Sequence, residues 1–326
     1  MRETYLSARA ALRRNYQDLL FCPQDDKESL EESMRRSLKR LQNQREDFIL
    51  YRASDPGRAY TRFIERGILP SAFPKLTAAA LLANEEDGLY AAVNVEEHLL
   101  LLALGEVSEI EQMTEKVRAL EAQMTLKEHP FAQNERFDYL SFRPVLAGSG
   151  LYVSILLHLP MLGFLKQTRS LCETVLQEYH CQLKPYPETD SRNPGKLFLI
   201  ANAGSQGISD SEIKQQVISA AEMLDRREAA LREKVVTKER ESSFSDQIWR
   251  SYGTLRYARR LTSRDFLLQW SNLRLGAAAG ALPVSLNKAD DLLALSGDSI
   301  FLKDDPDPKT LPFRRADAVR KMIAGG

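Results

Sequence analysis

Cysteine is scarce in this sequence, and neither charge sign is in excess. Cysteine occurs only at Cys22, Cys172 and Cys181. An odd count at wide spacing makes no disulfide framework and fits thiols kept reduced. Neither C-x-x-C nor H-E-x-x-H is present, so no zinc or other metal site is expected. Lys plus Arg equals Asp plus Glu, 45 against 45. That balance removes the bulk electrostatic case for a nucleic-acid partner. Long hydrophobic runs are missing too. The longest apolar stretch, Leu151 to Leu165, is broken by His158 and Pro160. It is also shorter than the roughly 20 residues a membrane span needs. Met1 to Arg14 has no apolar segment that would make it a signal peptide. These absences point to a cytoplasmic protein that works without a membrane.

What is present is ordinary globular composition. The 326 residues are 43% apolar and 28% charged, enough for roughly two domains. Asp25 to Tyr51 is rich in Glu, Arg and Lys, with Leu30, Met34, Leu38 and Leu41 at helical spacing, which predicts an amphipathic helix. Residues 68–74 form a proline-bearing turn. Leu89 to Val93 and Leu99 to Leu104 read as strands of a hairpin, with Glu96 and Glu97 exposed at its turn. A second amphipathic helix follows over Glu109 to Glu128. Phe137 to Phe142 reads as a strand. The loop Gly148-Ser-Gly150 is expected to feed a helix starting at Leu151, and a helix resumes after Pro160 and runs to about Glu178. Strands are expected at Cys181 to Lys184 and Lys196 to Ala201, flanking a proline-rich mobile loop at 185–194.

Ser209-Asp-Ser-Glu212 is a capping box. It opens a long helix whose stripe is Ile213, Val217, Ala220, Leu224, Leu231 and Val235. The polar segment Lys234 to Ser245 is the expected boundary. Beyond it the pattern is helical over Ile248 to Leu261, Ser263 to Leu275 and Arg314 to Ile323. The expected fold class is therefore α+β: a mixed domain over residues 1–240, then a helical domain over 241–326.

Segments in one order carry a resemblance. Leu6-Ser-Ala-Arg-Ala-Ala-Leu-Arg-Arg-Asn15 resembles S-S-R-x-R-L-A-R-N, and Asn94-Val-Glu-Glu-His-Leu-Leu100 resembles N-E-E-D-H-x-R. Arg143 to Pro160 resembles C-P-T-N-x-G-T-G-L-R-A-S-V-x-L-H-L-P, and Phe198 to Asn202 resembles Y-Q-I-S-N. These patterns are those of the ATP:guanidino phosphotransferase (phosphagen kinase) family. The tail segments Arg250 to Gly253, Ser271 to Gly276 and Arg315 to Arg320 are similar to the bacterial protein-arginine kinases within it. The resemblance implies a phosphagen-kinase-type catalytic domain, an antiparallel sheet with helices, and a C-terminal helical domain for dimerisation or regulation.

It also implies a chemistry. A guanidinium nitrogen attacks the γ-phosphate of Mg-ATP, a carboxylate takes the proton, and arginine forks hold the phosphates. Glu96 stands at the catalytic carboxylate, with Glu97 as the second acidic residue of the turn. Among the nucleotide arginines Arg9 is kept. Others are replaced by Ala11, Leu100 and Tyr152, and Lys184 stands for the fifth. Arg143 replaces a cysteine or serine near the site. In the tail, Arg315 and Ala316 remain of a phosphoarginine-binding R-D-x-x-R-A.

A hydrogen bond to a charged group is worth roughly 1.5–3 kcal/mol. Losing three such contacts costs on the order of 5–9 kcal/mol, while millimolar affinity is only about 4 kcal/mol. The resemblance thus implies a degenerate protein-arginine-kinase homologue, a pseudokinase acting through protein binding and needing no cofactor. Its alternative is an active phosphotransferase using Mg-ATP, with Glu96 as base and Arg9, Arg143 and Lys184 on phosphate. The same three cations also suit a phosphoarginine reader. The partners implied are a second copy of the chain, a small zinc-binding adaptor and a protein substrate or client.

Overall fold

The computed structural model describes residues 3–21, 26–42, 47–125, 127–164, 168–187, 192–238, 243–302 and 307–324. Cys22, residues 188–191 of the expected loop and residues 239–242 of the expected boundary lie outside the described residues.

Ten strands are present among the described residues: β1 (Tyr5–Arg14), β2 (Ile49–Arg52), β3 (Ala80–Asn84), β4 (Leu89–Val93), β5 (Leu99–Gly105), β6 (Gln133–Asn134), β7 (Asp138–Tyr139), β8 (Leu151–His158), β9 (Cys181–Pro185) and β10 (Leu197–Asn202). Eight form one sheet in the order β2-β3-β4-β5-β1-β8-β10-β9, and β6 and β7 make a small separate ribbon. Every pairing in the large sheet is antiparallel. The helices are α1 (Lys27–Gln42), α2 (Thr61–Glu65), α3 (Ile110–Met124), α4 (Pro160–Phe164), α5 (Thr168–Tyr179), α6 (Asp210–Lys238), α7 (Ser243–Tyr257), α8 (Ser263–Ala278), α9 (Leu286–Leu292), α10 (Ser299–Leu302) and α11 (Leu311–Ala324). The α+β class and the antiparallel sheet stand as expected.

Several local expectations change. Leu151 begins β8, not a helix. Val153 and Ile155 are β-branched, and β8 is paired on both sides, by β1 and β10. A short apolar run buried on both faces is a central strand, a case that periodicity cannot separate from a buried helix. Of the expected 25–51 helix the described part is Lys27–Gln42, and Ile49–Arg52 is an edge strand instead. The 137–142 strand shrinks to Asp138–Tyr139. The capping box at Ser209 forms as expected, with Glu212 N donating to Ser209 Oγ and Ser209 N to Glu212 Oε2.

Alternation on the strands decides which face meets what. Ala8, Ala10 and Leu12 of β1 join Val153, Ile155 and Ile200 in the main core, against α3, α5 and α6. The opposite face carries two smaller cores. One gathers Phe63, Phe73, Leu81, Tyr90 and Leu102 beneath residues 53–79. The other joins Met161 and Leu197 to Trp270, Phe266 and Val319 of the helical tail. Between these two cores lies the strip of sheet that carries Arg9, Arg13 and Tyr152, the cleft face.

The tail is tied to the sheet by buried polar groups. His158 Nε2 lies 2.8 Å from Ser271 Oγ, and Arg274 Nη1 lies 3.2 Å from His158 Nδ1. Burial pushes His158 well below its usual value, and Arg274 adds to this. His158 is thus a neutral packing group. Glu228 on α6 accepts from Met161 N at 2.8 Å and Leu162 N at 3.0 Å at the start of α4.

Burial pushes the Glu228 carboxyl up to about 7 from 4.5, against those two backbone bonds. A raised carboxyl favours the protonated folded state. Its contribution is therefore complete below pH 4.5 and lost as pH rises through about 7. That gap corresponds to about 3 kcal/mol. Urea unfolding across this window should show wild type losing about 3 kcal/mol relative to Glu228→Gln, which does not titrate. A pH-independent difference between the two proteins would refute the assignment.

Candidate active site

The cleft is built on the β1 residues that point away from the main core. Arg9 faces Leu104 on β5 and Ser154 on β8, Ala11 faces Leu102 and Tyr152, and Arg13 faces Leu100. Register continues this face to Ala201 and Leu199 on β10, and from Leu199 to Lys184 on β9. The structure therefore brings Arg9, Ala11, Leu100, Tyr152 and Lys184 onto one face of the sheet, with Ala11 buried in the small core of Phe63 and Tyr90. Lys184 sits three strands from Arg9, about 14 Å away at the usual strand spacing, and its residue is exposed.

Glu96 and Glu97 do share the turn between β4 and β5, but with opposite fates. Asn94 takes the left-handed conformation that starts the turn, with φ 54°. Its side chain donates to Leu30 O and Ala78 O, both at 2.8 Å. Glu96 has its side chain 46% exposed, and its Oε2 lies 3.5 Å from Nε of Arg13 on the cleft face. Glu97 is buried, not exposed as expected. Its carboxylate accepts from Asn15 Nδ2 at 2.5 Å, from Phe142 N at 3.4 Å and from Ser141 Oγ. Three backbone segments meet at that one side chain, so Glu97 is a structural tie. His98 is buried beside it, and Tyr16 N donates to its Nδ1. Burial lowers its pKa to about 4, so it is neutral.

Arg9 is engaged by protein. Its Nη1 donates to Gly67 O at 2.8 Å and its Nη2 to Arg66 O at 3.4 Å. Those carbonyls belong to the strap after α2, and the strap is fastened to the helical tail. Glu65 accepts from Asp298 N at 2.8 Å and Ser299 N at 2.9 Å. These two bonds use two of the five guanidinium N–H groups, so a phosphate on Arg9 would share it with the strap's carbonyls. Ser154 Oγ, on the same face, is buried and has no hydrogen-bond partner.

The Gly148–Gly150 loop leads into a strand, so it supplies no helix N-terminus for an anion. Its glycines serve close packing. A Cβ on Gly148 would collide with the Ser205 backbone, and one on Gly150 with the Arg14 guanidinium. Arg143 is exposed in the segment before this loop. An open, mainly apolar cavity of about 370 Å³ lies there, lined by Phe21, Phe137, Leu140, Ser141, Pro144 and Val145 among others.

The tail arginine is also committed. Arg315 is 1% exposed. Its guanidinium donates to Leu295 O at 2.8 Å, Leu261 O and Gly297 O at 3.3 Å, and Ser296 O at 3.4 Å, and pairs with Asp298. Buried and engaged by protein at all three nitrogens, it does not present an open fork to a phosphoarginine. Motif reading also passes over Arg13, which sits over the Tyr152 ring at 4.8 Å. Alternation with Arg9 was the available signal, since residues 9, 11 and 13 of one strand share a face.

No group of three or more His, Cys, Asp or Glu side chains among the described residues is placed to hold a metal ion. No described helix is long and apolar enough to cross a membrane.

Comparison with known proteins gives the family. Residues 29–231 match the model described as ATP:guanido phosphotransferase, C-terminal catalytic domain. Residues 241–324 match the protein-arginine kinase McsB C-terminal domain. The chain is similar to the protein-arginine kinase of Staphylococcus saprophyticus, at 25% identity over 322 residues, 98% of this chain and 93% of that protein. Against the protein-arginine kinase of Staphylococcus aureus strain USA300 the identity is 24% over 262 residues, 80% of this chain and 77% of that one. Lombricine kinase has a similar structure, with TM-score 0.59 and 20% identity over 71% of this chain and 68% of its own. The duplicated taurocyamine kinase of Schistosoma mansoni gives TM-score 0.61 and 16% identity over 81% of this chain and 38% of its own. These two likenesses bear on fold alone. The catalytic-domain match spans more than half of the sequence, and on that ground the chain belongs to the ATP:guanido phosphotransferase family.

Proposed function

We propose that this chain is a family member that has given up nucleotide binding and acts by binding protein. One observation carries the reading. The cleft face holds Ala11, Leu100 and Tyr152 at positions the family pattern gives to arginine, and the retained Arg9 donates to the carbonyls of Gly67 and Arg66. Three phosphate-binding forks are thereby replaced, and the fourth is shared with protein carbonyls. Leu100 and Tyr152 place apolar and bulky groups where phosphate oxygens need donors. On this reading Mg-ATP does not fit the residues present, and no phosphotransfer step runs through it. The proposed partners are a protein client, a second copy through the helical tail and a small zinc-binding adaptor, in the cytoplasm. The proposed division of labour keeps residues 1–240 as the binding domain and 241–326 as the dimerisation or regulatory domain.

Calorimetric titration with Mg-ATP tests it. No heat is expected up to millimolar nucleotide. Micromolar binding that disappears in Arg9→Ala would overturn it. The alternative is phosphotransfer to arginine with Glu96 as base, and it draws support from the half-exposed Glu96 carboxylate beside Arg13 on the cleft face. It requires labelled phosphate to move from ATP to an arginine substrate, and to stop moving in Glu96→Gln.

A further inference from the structure

Arg13 stands on the cleft strand at a position where the family pattern S-S-R-x-R-L-A-R-N carries alanine. Its Nε lies 3.5 Å from Glu96 Oε2, and its side chain is 14% exposed against 46% for Glu96. Its guanidinium carbon lies 4.8 Å from the Tyr152 ring centroid. Leu100 faces it across the ladder to β5. Its Nε is buried without a hydrogen-bond partner, so charge attraction and stacking hold it, not a saturated bonding network. A flat cation is thus enclosed by an aromatic face, an aliphatic neighbour and a half-exposed carboxylate. Such walls select a planar guanidinium over a compact ammonium, because only the former can stack and pair at once.

We infer that Arg13 is a built-in occupant of this slot, an intramolecular guanidinium that closes Glu96 to any guanidinium carried by a partner protein. The inference rests on reading the cleft as a protein-binding site. Its test uses no nucleotide, so it fails or stands separately from the ATP titration. A tethered group competes at an effective concentration of about millimolar or more. If Arg13 leaves the slot about 1% of the time, an external guanidinium binds about 100-fold more weakly than the open slot would allow.

N-acetylarginine amide, followed by ligand-observed NMR, is the probe. Arg13→Ala should bind it at least about tenfold more tightly than wild type. Adding Glu96→Gln should abolish the gain, and N-acetyllysine amide should not reproduce it. A folded Arg13→Ala that binds no better than wild type overturns the inference, as does a gain that survives Glu96→Gln. A second measurement stands even if Arg13→Ala does not fold. Phenylglyoxal modification, mapped by mass spectrometry, should be about tenfold slower at Arg13 than at the exposed Arg259. Glu96→Gln should raise the Arg13 rate several-fold. Equal rates at Arg13 and Arg259, or no change in Glu96→Gln, also overturn it.

Discussion

Arg315→Met is expected to destabilise the chain by about 5 kcal/mol, the largest loss foreseen for any single substitution here. Methionine preserves the apolar stem of the arginine beside the Phe301 ring, so packing there is disturbed little. What it removes is the guanidinium. The carbonyls of Leu261, Leu295, Ser296 and Gly297 then lose a shared donor inside the helical tail. A buried acceptor left without a partner costs about 1–3 kcal/mol, and water entry recovers part of that. Arg315→Lys should lose about half as much, since an ammonium reaches fewer of these carbonyls. Tryptophan fluorescence during urea unfolding is a direct readout, because both tryptophans, Trp249 and Trp270, lie in the tail. The measurement also separates two roles. An anion-binding Arg315 would give a stable Arg315→Met that loses affinity for phosphoarginine. A structural Arg315 gives an unstable protein and no such affinity in wild type.

The buried arginines show where sequence reading stops. Arg315 matched part of a phosphoarginine motif, and Arg14 lies in the segment that resembles S-S-R-x-R-L-A-R-N. Both are fully enclosed. Their surroundings are supplied by residues far away in sequence, such as Glu121 for Arg14 and the 261 and 295–297 carbonyls for Arg315. No local spacing encodes those. The β4–β5 hairpin was legible because a short polar turn, Asn94 to Glu97, separates two short apolar runs locally. β8 was not, because a strand buried on both faces has the composition of a buried helix. The two glutamates of the hairpin divided for a similar reason. Nothing in Glu96-Glu97 says that Asn15 and Ser141 converge on the second carboxylate. The scaffold of the cleft was readable from ordered motifs. The engagement of Arg9 by the strap and of Glu96 by Arg13 is a matter of tertiary placement.

Glu121→Ala is expected to cost about 4 kcal/mol, and more than Arg14→Met, although the two residues form one pair. Arg14 donates through Nε to Glu121, stacks at 3.3 Å over the Tyr139 ring, and gives its Nη1 to Arg13 O at 2.6 Å. Burial pulls its pKa down, and Glu121 is the main group opposing that pull. Deleting Glu121 strands a fully buried cation. Deleting Arg14 is milder, about 2 kcal/mol, because Arg118 still donates to Glu121 at 2.9 Å. The double variant Arg14→Met/Glu121→Leu should therefore lose about 2–3 kcal/mol less than the sum of Arg14→Met and Glu121→Leu. Strict additivity in urea midpoints would sink this account. The consequence reaches the cleft. Arg14 sits against Gly150, where no side chain would fit, and Gly150 leads directly to Tyr152. Arg13 and Arg14 are neighbours on β1 facing opposite sides. The core pair on one side therefore fixes the strand that presents the cleft cation on the other. Loosening it in Glu121→Ala should also expose Arg13 to phenylglyoxal.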